Sequence, residues 1–298
     1  MRPPLFEAVP NFSEGRDAEK IERIAGSVRA VPGLRVLGLH SDPDHNRSVL
    51  TFAGEEDPVL EAAVALAQAC RGEIDLSSQT GEHPRIGSLD VLPFIPLGRA
   101  TLEDAAGLAR RAGERLGDLG LPVYLYEAAA TAPHRRNLAD LRRGGYEGLA
   151  AHMKDPLWQP DYGPPELDPR TGAVAVGARP FLVAFNAYLD TDDVSVAKAV
   201  ARKVRERDGG LPGVRALGLE VGGRAQVSMN LTDLGATPIP VSLEAVRSAA
   251  AEHGASVEST ELVGLAPLEA ILQVTKHYLS LKELEREHVL EAALWEEA

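Results

Sequence analysis

One cysteine in 298 residues excludes an internal disulfide framework and a cysteine-based zinc cage. That residue, Cys70, sits in the apolar-periodic run Val59, Leu60, Ala63, Leu66 and Ala67, so a small buried helix residue is expected. No apolar run approaches the roughly 20 residues that cross a bilayer. Met1-Arg2-Pro3-Pro4 leads straight into strand-like sequence, with no secretory start. Basic clusters are missing as well, and a formal net charge of -13 argues against a nucleic-acid footprint. A phosphate loop, a dinucleotide-binding glycine fingerprint, a His-Glu-x-x-His pair and a Gly-x-Ser-x-Gly elbow are all absent. Their absence removes the common nucleotide, zinc-protease and serine-hydrolase chemistries. The expectation is a soluble cytoplasmic protein with neither a membrane nor a nucleic-acid partner.

What is present is ordinary globular composition, 44% hydrophobic and 25% charged, in a length that suits two domains with their own cores. Strands are expected over 5–9, 34–39, 48–52, 91–97 and 122–126, with helices over 18–31, 58–74 and 102–119. Pro93 and Pro96 mark 91–97 as an edge strand or an exposed end. Periodicity is weak over 129–172, which reads as linker and binding loop together. Beyond it come strand 181–189, helix 193–207, strands 214–221 and 225–231 around a glycine turn, helix 243–252 and strand 257–263. That order is β-α-β-β-α-β, the split βαβ arrangement. The first half begins in the same way, so the fold class is α+β with two related units, and their junction is a preferred place for a ligand cleft. An acidic helical tail over 268–297 suits packing or an interface.

Chemistry concentrates in Gln79-Thr80-Gly81-Glu82-His83-Pro84-Arg85-Ile86-Gly87-Ser88-Leu89-Asp90. Pro84 restrains the backbone of His83, Glu82 or Asp90 can orient a ring nitrogen, and Arg85 can take a carboxylate through two parallel hydrogen bonds. A surface loop with an ordinary histidine is the plain alternative. Asn11-Phe12-Ser13-Glu14-Gly15 opens the first helix, with Ser13 or Asp17 as a cap, or the whole turn as an anion contact. The stretch His40-Ser41-Asp42-Pro43-Asp44-His45-Asn46-Arg47 serves as a turn, as a substrate contact or, with fewer arguments, as a metal site.

Taken together, Val9-Pro10-Asn11-Phe12-Ser13-Glu14-Gly15, Asn46-Arg47, Gly81-Glu82-His83-Pro84-Arg85, Leu89-Asp90-Val91 and Pro93-Phe94-Ile95-Pro96 resemble the formiminotransferase family. The likeness continues through Val123-Tyr124-Leu125-Tyr126, Asp161-Tyr162-Gly163-Pro164, Gly177-Ala178-Arg179, Phe185-Asn186, Gln226-Val227-Ser228 and Asn230. It implies two ferredoxin-like subdomains, 1–178 and 179–298, with a ligand cleft between them. It also implies transfer of a formimino group from N-formimino-L-glutamate to N5 of tetrahydrofolate, a step of histidine breakdown. Tetrahydrofolate would then be a co-substrate, with no metal, and the chain a homodimer. The resemblance implies a stand-alone transferase, without room for the cyclodeaminase domain that is fused to it in the animal enzymes.

The family's catalytic histidine falls on His83, and its folate loop on about 163–172, which includes Gly163, Pro164 and Gly172. Arg47, Arg85 and Arg179 stand in motif positions suited to substrate carboxylates, and Tyr162 could wall the pterin. Asn11, Ser13, Glu14, Asp42, Asn46, Glu82, Asp90 and Asn230 complete the expected binding set. This chain has His40 where the animal enzyme has an acid at the end of the second strand, which leaves the role of that acid open. Two other readings stay open. One is a formyl donor, or use of 5-formyltetrahydrofolate, and the other is a non-catalytic small-ligand-binding module.

Overall fold

The computed structural model describes residues 3–79 and 85–296. Glu82 and His83 therefore lie outside the described residues. The chain divides into two compact units, Met1–Pro180 and Phe181–Ala298.

The first unit runs β1 (Leu5–Ala8), β2 (Asn11–Phe12), α1 (Ala18–Arg29), β3 (Leu34–Asp42), β4 (Arg47–Glu55), α2 (Glu56–Glu73), β5 (Leu89–Leu97), α3 (Leu102–Asp118) and β6 (Val123–Glu127). The short helices α4 (Leu138–Leu141) and α5 (Gly145–His152) and strand β7 (Val174–Ala178) complete it. Strands β1 and β2 each pair antiparallel with β4 on one side and β5 on the other, so they form one central strand broken at Val9-Pro10. Strand β3 lies outside β4, while β7 and then β6 continue beyond β5 in parallel. The result is a seven-stranded mixed sheet.

Side-chain alternation divides the labour between the two faces. Phe6, Ala8, Phe12, Leu50, Phe52, Leu92, Phe94, Val174 and Val176 turn to the face covered by α1, α2 and α3. Helix α1 meets them with Ile21, Ile24, Ala25 and Val28, and Asp17 caps its start by accepting from the amides of Glu19 and Lys20 at 3.1 Å. A reciprocal Thr101–Asp104 capping box opens α3. Cys70 is fully buried in this core, and burial pushes its thiol up. Each large side chain buried here contributes roughly 1.5–3 kcal/mol.

Two expectations are corrected. Strand β5 is central rather than at an edge. Pro93 faces the break in β1–β2 and offers its carbonyl to the Val9 amide at 3.3 Å, and Pro96 lies past Phe94, where pairing with β7 stops. Neither proline therefore removes a needed ladder donor. Nor is 129–172 a linker. Leu141, Leu149 and Met153 pack with Val91, Tyr124, Tyr126 and Ala175 over the far side of the sheet, inside the first unit. Strand β7, unmarked by the periodicity, is a short fully buried strand.

The second unit runs β8 (Val183–Leu189), α6 (Val194–Val204), β9 (Val214–Val221), β10 (Arg224–Leu231), α7 (Ile239–Ala251), β11 (Val257–Val263), α8 (Leu268–Leu279) and α9 (Leu290–Glu296). Its four strands lie in the order β11-β8-β10-β9, all antiparallel. Val183, Phe185, Ala187, Val227 and Met229 form its core with Ala197, Val200, Val246 and Ala270. Among the described residues no helix is long and apolar enough to cross a membrane.

One crossing ties the loop after Gln79 to the residues before β7. Gly87 and Gly172 form an isolated antiparallel bridge, and Gly172 has φ of 67°. A Cβ there would stand 2.2 Å from the Ile86 carbonyl oxygen. Gly172→Ala should lower stability by at least about 1 kcal/mol. Gly209→Ala, with φ of 88° but open space around it, should lose only the backbone contribution. Urea denaturation compares them, and equal losses would show that the crossing is not tight.

Candidate active site

The outer face of the first sheet, away from α1–α3, follows from strand register. Partners across the strands share a face, which places His40, Val49, Asn11, Val91, Ala175 and Tyr124 in one row. Pro93, Gly177 and Tyr126 form a second row, and Ala53, Glu7 and Ile95 a third. The residues around α4 and α5 close this face over β5, β7 and β6, whereas toward β3 it opens, with His40 exposed.

Polar side chains gather around both ends of the 80–84 stretch. Glu14, 3% exposed, accepts from the amides of Arg16 at 2.9 Å and Asp17 at 3.1 Å, and from Gln79 Nε2 at 3.0 Å. Asn46 donates to Gln79 Oε1 and accepts from the Gly15 amide at 2.9 Å. Ser13 donates to the Gly87 carbonyl at 2.7 Å. Arg85 donates to the Gln79 carbonyl at 2.7 Å, and its guanidinium lies over the Tyr146 ring at 5.9 Å. Gln79 and Arg85 are therefore joined directly, and Glu14, Asn46 and Ser13 brace the segment around them.

Next to this belt are buried charges. Asp90 accepts from the Ile86 amide at 2.8 Å and pairs with Arg142. Arg47 donates to Asn11 Oδ1, and Asn11 in turn donates to the Val9 carbonyl at 3.0 Å. Burial, helped by the positive charge of Arg142, brings Arg47 down to about 10, so it remains a cation at neutral pH. Among the described residues, the Nε atoms of Arg85 and Arg142 and the hydroxyl of Thr171 are buried without a hydrogen bond. A third site of charge is Glu7, 5% exposed in mid-strand. Burial raises its carboxyl, and the Arg179 guanidinium offsets part of that. Burial also pushes the Tyr126 phenol up, and its ring lies across Gly177, where an added Cβ would stand 2.5 Å from Cδ1.

Of the expected residues, the fold brings Asn11, Ser13, Glu14, Asn46, Arg47, Arg85 and Asp90 into one region, with Gly172 at its margin. Asp42 spends its carboxylate on the turn, accepting from the amides of Asp44 at 2.9 Å and His45 at 3.0 Å. Tyr162 does not join the group. Its backbone bridges to Val123, and its ring rests on α3, where a Cβ on Gly113 would meet it at 3.0 Å; Gly163 follows it there, beside Gly117. Arg179 stands nearer Glu7, and Asn230 belongs to the second unit, exposed on β10. Sequence reasoning passed over Arg142 and Glu7. Glu7 did carry a signal, as the lone charge in Leu5-Phe6-Glu7-Ala8-Val9, whereas Arg142 sat in the stretch without periodicity.

Two family models match consecutive parts of the chain. They are the N-terminal subdomain of the formiminotransferase domain over residues 5–179 and the formiminotransferase domain over residues 184–294. A glutamate formimidoyltransferase of Thermoplasma acidophilum is 41% identical over 292 residues, a match covering 96% of each chain. One from Streptococcus pyogenes serotype M1 is 37% identical over 284 residues, covering 94% of this chain and 95% of that one. The formimidoyltransferase-cyclodeaminase of Mus musculus is 40% identical over 296 residues, covering 95% of this chain and 54% of the mouse protein.

Removing one partner of the Asp90–Arg142 pair leaves a carboxylate 2% exposed without its counter-charge. Arg142→Met should cost about 3–5 kcal/mol in urea denaturation, and adding Asp90→Asn should restore part of it. A loss below about 1 kcal/mol would show that the pair is not an essential brace. Glu7 behaves in the opposite sense. The fold holds its proton more tightly than the unfolded chain does, so ionisation opposes folding above the folded value, and the effect vanishes below the ordinary 4.5. Glu7→Gln should therefore melt higher than the wild type at pH 8 and equally at pH 4. A variant that melts lower at pH 8 would contradict the burial cost.

Proposed function

The chain belongs to the formiminotransferase family, and from that premise we propose that it transfers the formimino group of N-formimino-L-glutamate to N5 of tetrahydrofolate, releasing L-glutamate. The observation that carries this reading is the likeness, over almost the whole of both chains, to proteins named glutamate formimidoyltransferase. The polar belt on the sheet's outer face supports it, since both substrates are polar and carry carboxylates.

The donor is a formamidine, protonated to a planar cation at neutral pH. N5 attacks its carbon, a C–N bond forms, and the π electrons move to the terminal nitrogen. The tetrahedral species then expels the glutamate nitrogen. N5 must lose a proton and the leaving nitrogen must gain one. A single group that titrates near neutrality can do both in turn, and His83 is assigned that role. The family position supports the assignment, as does the bracing of Gln79 and Arg85 on either side. Arg47 and Arg85 are the cations assigned to substrate carboxylates, and the unspent Nε of Arg85 suits that task. Arg142 joins them as the partner that holds Asp90 in place.

The remaining parts of the proposal are coarser. The element order β8-α6-β9-β10-α7-β11, and the β1-α1-β3-β4-α2-β5 that opens the chain, support ferredoxin-like subdomains, taken as 1–178 and 179–298. Of residues 163–172, the end at Gly172 serves the folate, and the protein works in the cytoplasm as a homodimer.

Purified protein given tetrahydrofolate and N-formimino-L-glutamate should form 5-formiminotetrahydrofolate, followed by absorbance. N-formylglutamate in a parallel tube should give far less product. His83→Ala should reduce turnover by about 10²–10⁴-fold while folate binding persists. Product from the formyl donor alone would replace the formimino reading. Folate binding without turnover on either donor would leave a binding module.

A further inference from the structure

Among the described residues, Glu7 has no evident structural task. Its neighbours Phe6 and Ala8 supply the core on the helix side, while its own side chain turns to the outer face between Ala53 and Ile95. A carboxylate at 5% exposure in the middle of a sheet is a cost that a valine at the same position would not incur. Among the described residues, Arg179 is the cation that offsets that burial. Its amide donates to the Phe94 carbonyl and its Nη1 to the Pro180 carbonyl, both at 3.1 Å. Asp90 makes the contrast. It is buried as deeply, but its two oxygens are taken by the Ile86 amide and by Arg142. Along the same broken strand and on the same face stands Asn11, about 13 Å away at the rise of an extended chain. This face therefore carries polar groups at both ends of the broken strand, the Asn11–Arg47 contact and Glu7, with the row of Pro93 and Gly177 between them.

The geometry points to Glu7 as the acceptor for a planar N–C–N edge that presents two parallel N–H donors. A carboxylate matches such an edge with two charge-assisted hydrogen bonds, as it matches a guanidinium. Both substrates of the proposed reaction carry one: the cationic formamidine of the donor, and the N3–H and 2-amino edge of the pterin. A formyl donor has oxygen in place of the terminal nitrogen and cannot make the paired contact, so a carboxylate that reads the formamidine also discriminates against the formyl analogue. The inference rests on the transferase reading and deepens it, naming a recognition residue other than His83.

The experiment uses the full chain, wild type and Glu7→Gln, with KM and kcat for N-formimino-L-glutamate, KM for tetrahydrofolate, and turnover of N-formylglutamate. Glutamine keeps the size and replaces one acceptor oxygen with a donor. If the formamidine is the edge read, its KM rises at least tenfold, tetrahydrofolate is unaffected, and the preference for the formimino over the formyl donor falls by the same factor. If the pterin is read, KM for tetrahydrofolate rises at least tenfold, both donors suffer equally, and direct titration of folate onto the variant weakens in parallel. Both KM values within twofold of wild type would overturn the inference, and so would a loss confined to kcat. Should Glu7→Gln fail to fold, Glu7→Asp keeps the charge and retracts it by one methylene. It should show the same selective rise in one KM, and an unchanged pair of KM values would overturn the inference equally. Wild-type turnover on the formimino donor is the separate check on the reaction itself, so failure of the reaction and failure of the Glu7 assignment are read from different tubes.

Discussion

A strand in the middle of a sheet must send every second side chain to each face, and in this chain the central strand is the broken pair β1–β2. Phe6, Ala8 and Phe12 enter the core under α1–α3, while Glu7 and Asn11 go to the other side. Core and site are thus written in the same short stretch, and a slip of one residue in register would exchange them. The break itself costs little. Pro10 lacks an amide, but it gives its carbonyl to the Leu50 amide at 3.0 Å, and Val9 reaches Pro93. The ladder is bridged by the groups the proline retains.

From that strand the polar belt spreads outward through Asn46, Gln79 and Glu14. Asn46, with φ of 48°, adopts a left-handed backbone that asparagine tolerates better than most residues, and so links the Gly15 amide to Gln79. Glu14 holds the other side of Gln79. The braces are short, buried and made from several different segments, and they fix Gln79 and Gly87 by side chains rather than by a ladder. Loss of one brace leaves the others unsatisfied, so the belt acts as a unit.

Much of this was legible beforehand, because strong periodicity and caps are local properties. The first half of the strand over 214–221 and the faces of α1 and α3 follow directly from alternation and 3–4 spacing. What was misread depends on neighbours that sequence does not display. Pro93 and Pro96 suggested an edge because a proline lacks a donor, but whether a donor is needed is decided by the break at Val9-Pro10 and the end of β7. The seat of Tyr162 was likewise not displayed, because the spacing of Gly113 and Gly117 on α3 means little until that helix is placed beside β6. Arg142 had no pattern around it, because the segment carrying it is shaped by the sheet it covers.

The buried charges separate by what the fold has already done with them. Asp90 and Arg142 neutralise one another, so their energy goes into holding the turn at Ile86, and they have little left for a substrate. Arg47 is brought down toward 10 by burial and stays positive, and Glu7 is raised by burial and only partly relieved by Arg179. A group in that condition lowers the stability of the empty fold, and it gains most when a complementary charge or donor pair arrives, because its desolvation has been met during folding rather than at binding. Marginal stability limits how many such groups a domain can carry. A large apolar core behind the same sheet, with Phe6, Phe12, Leu50, Phe52 and Phe94 buried on the opposite face, is what allows this one to hold them.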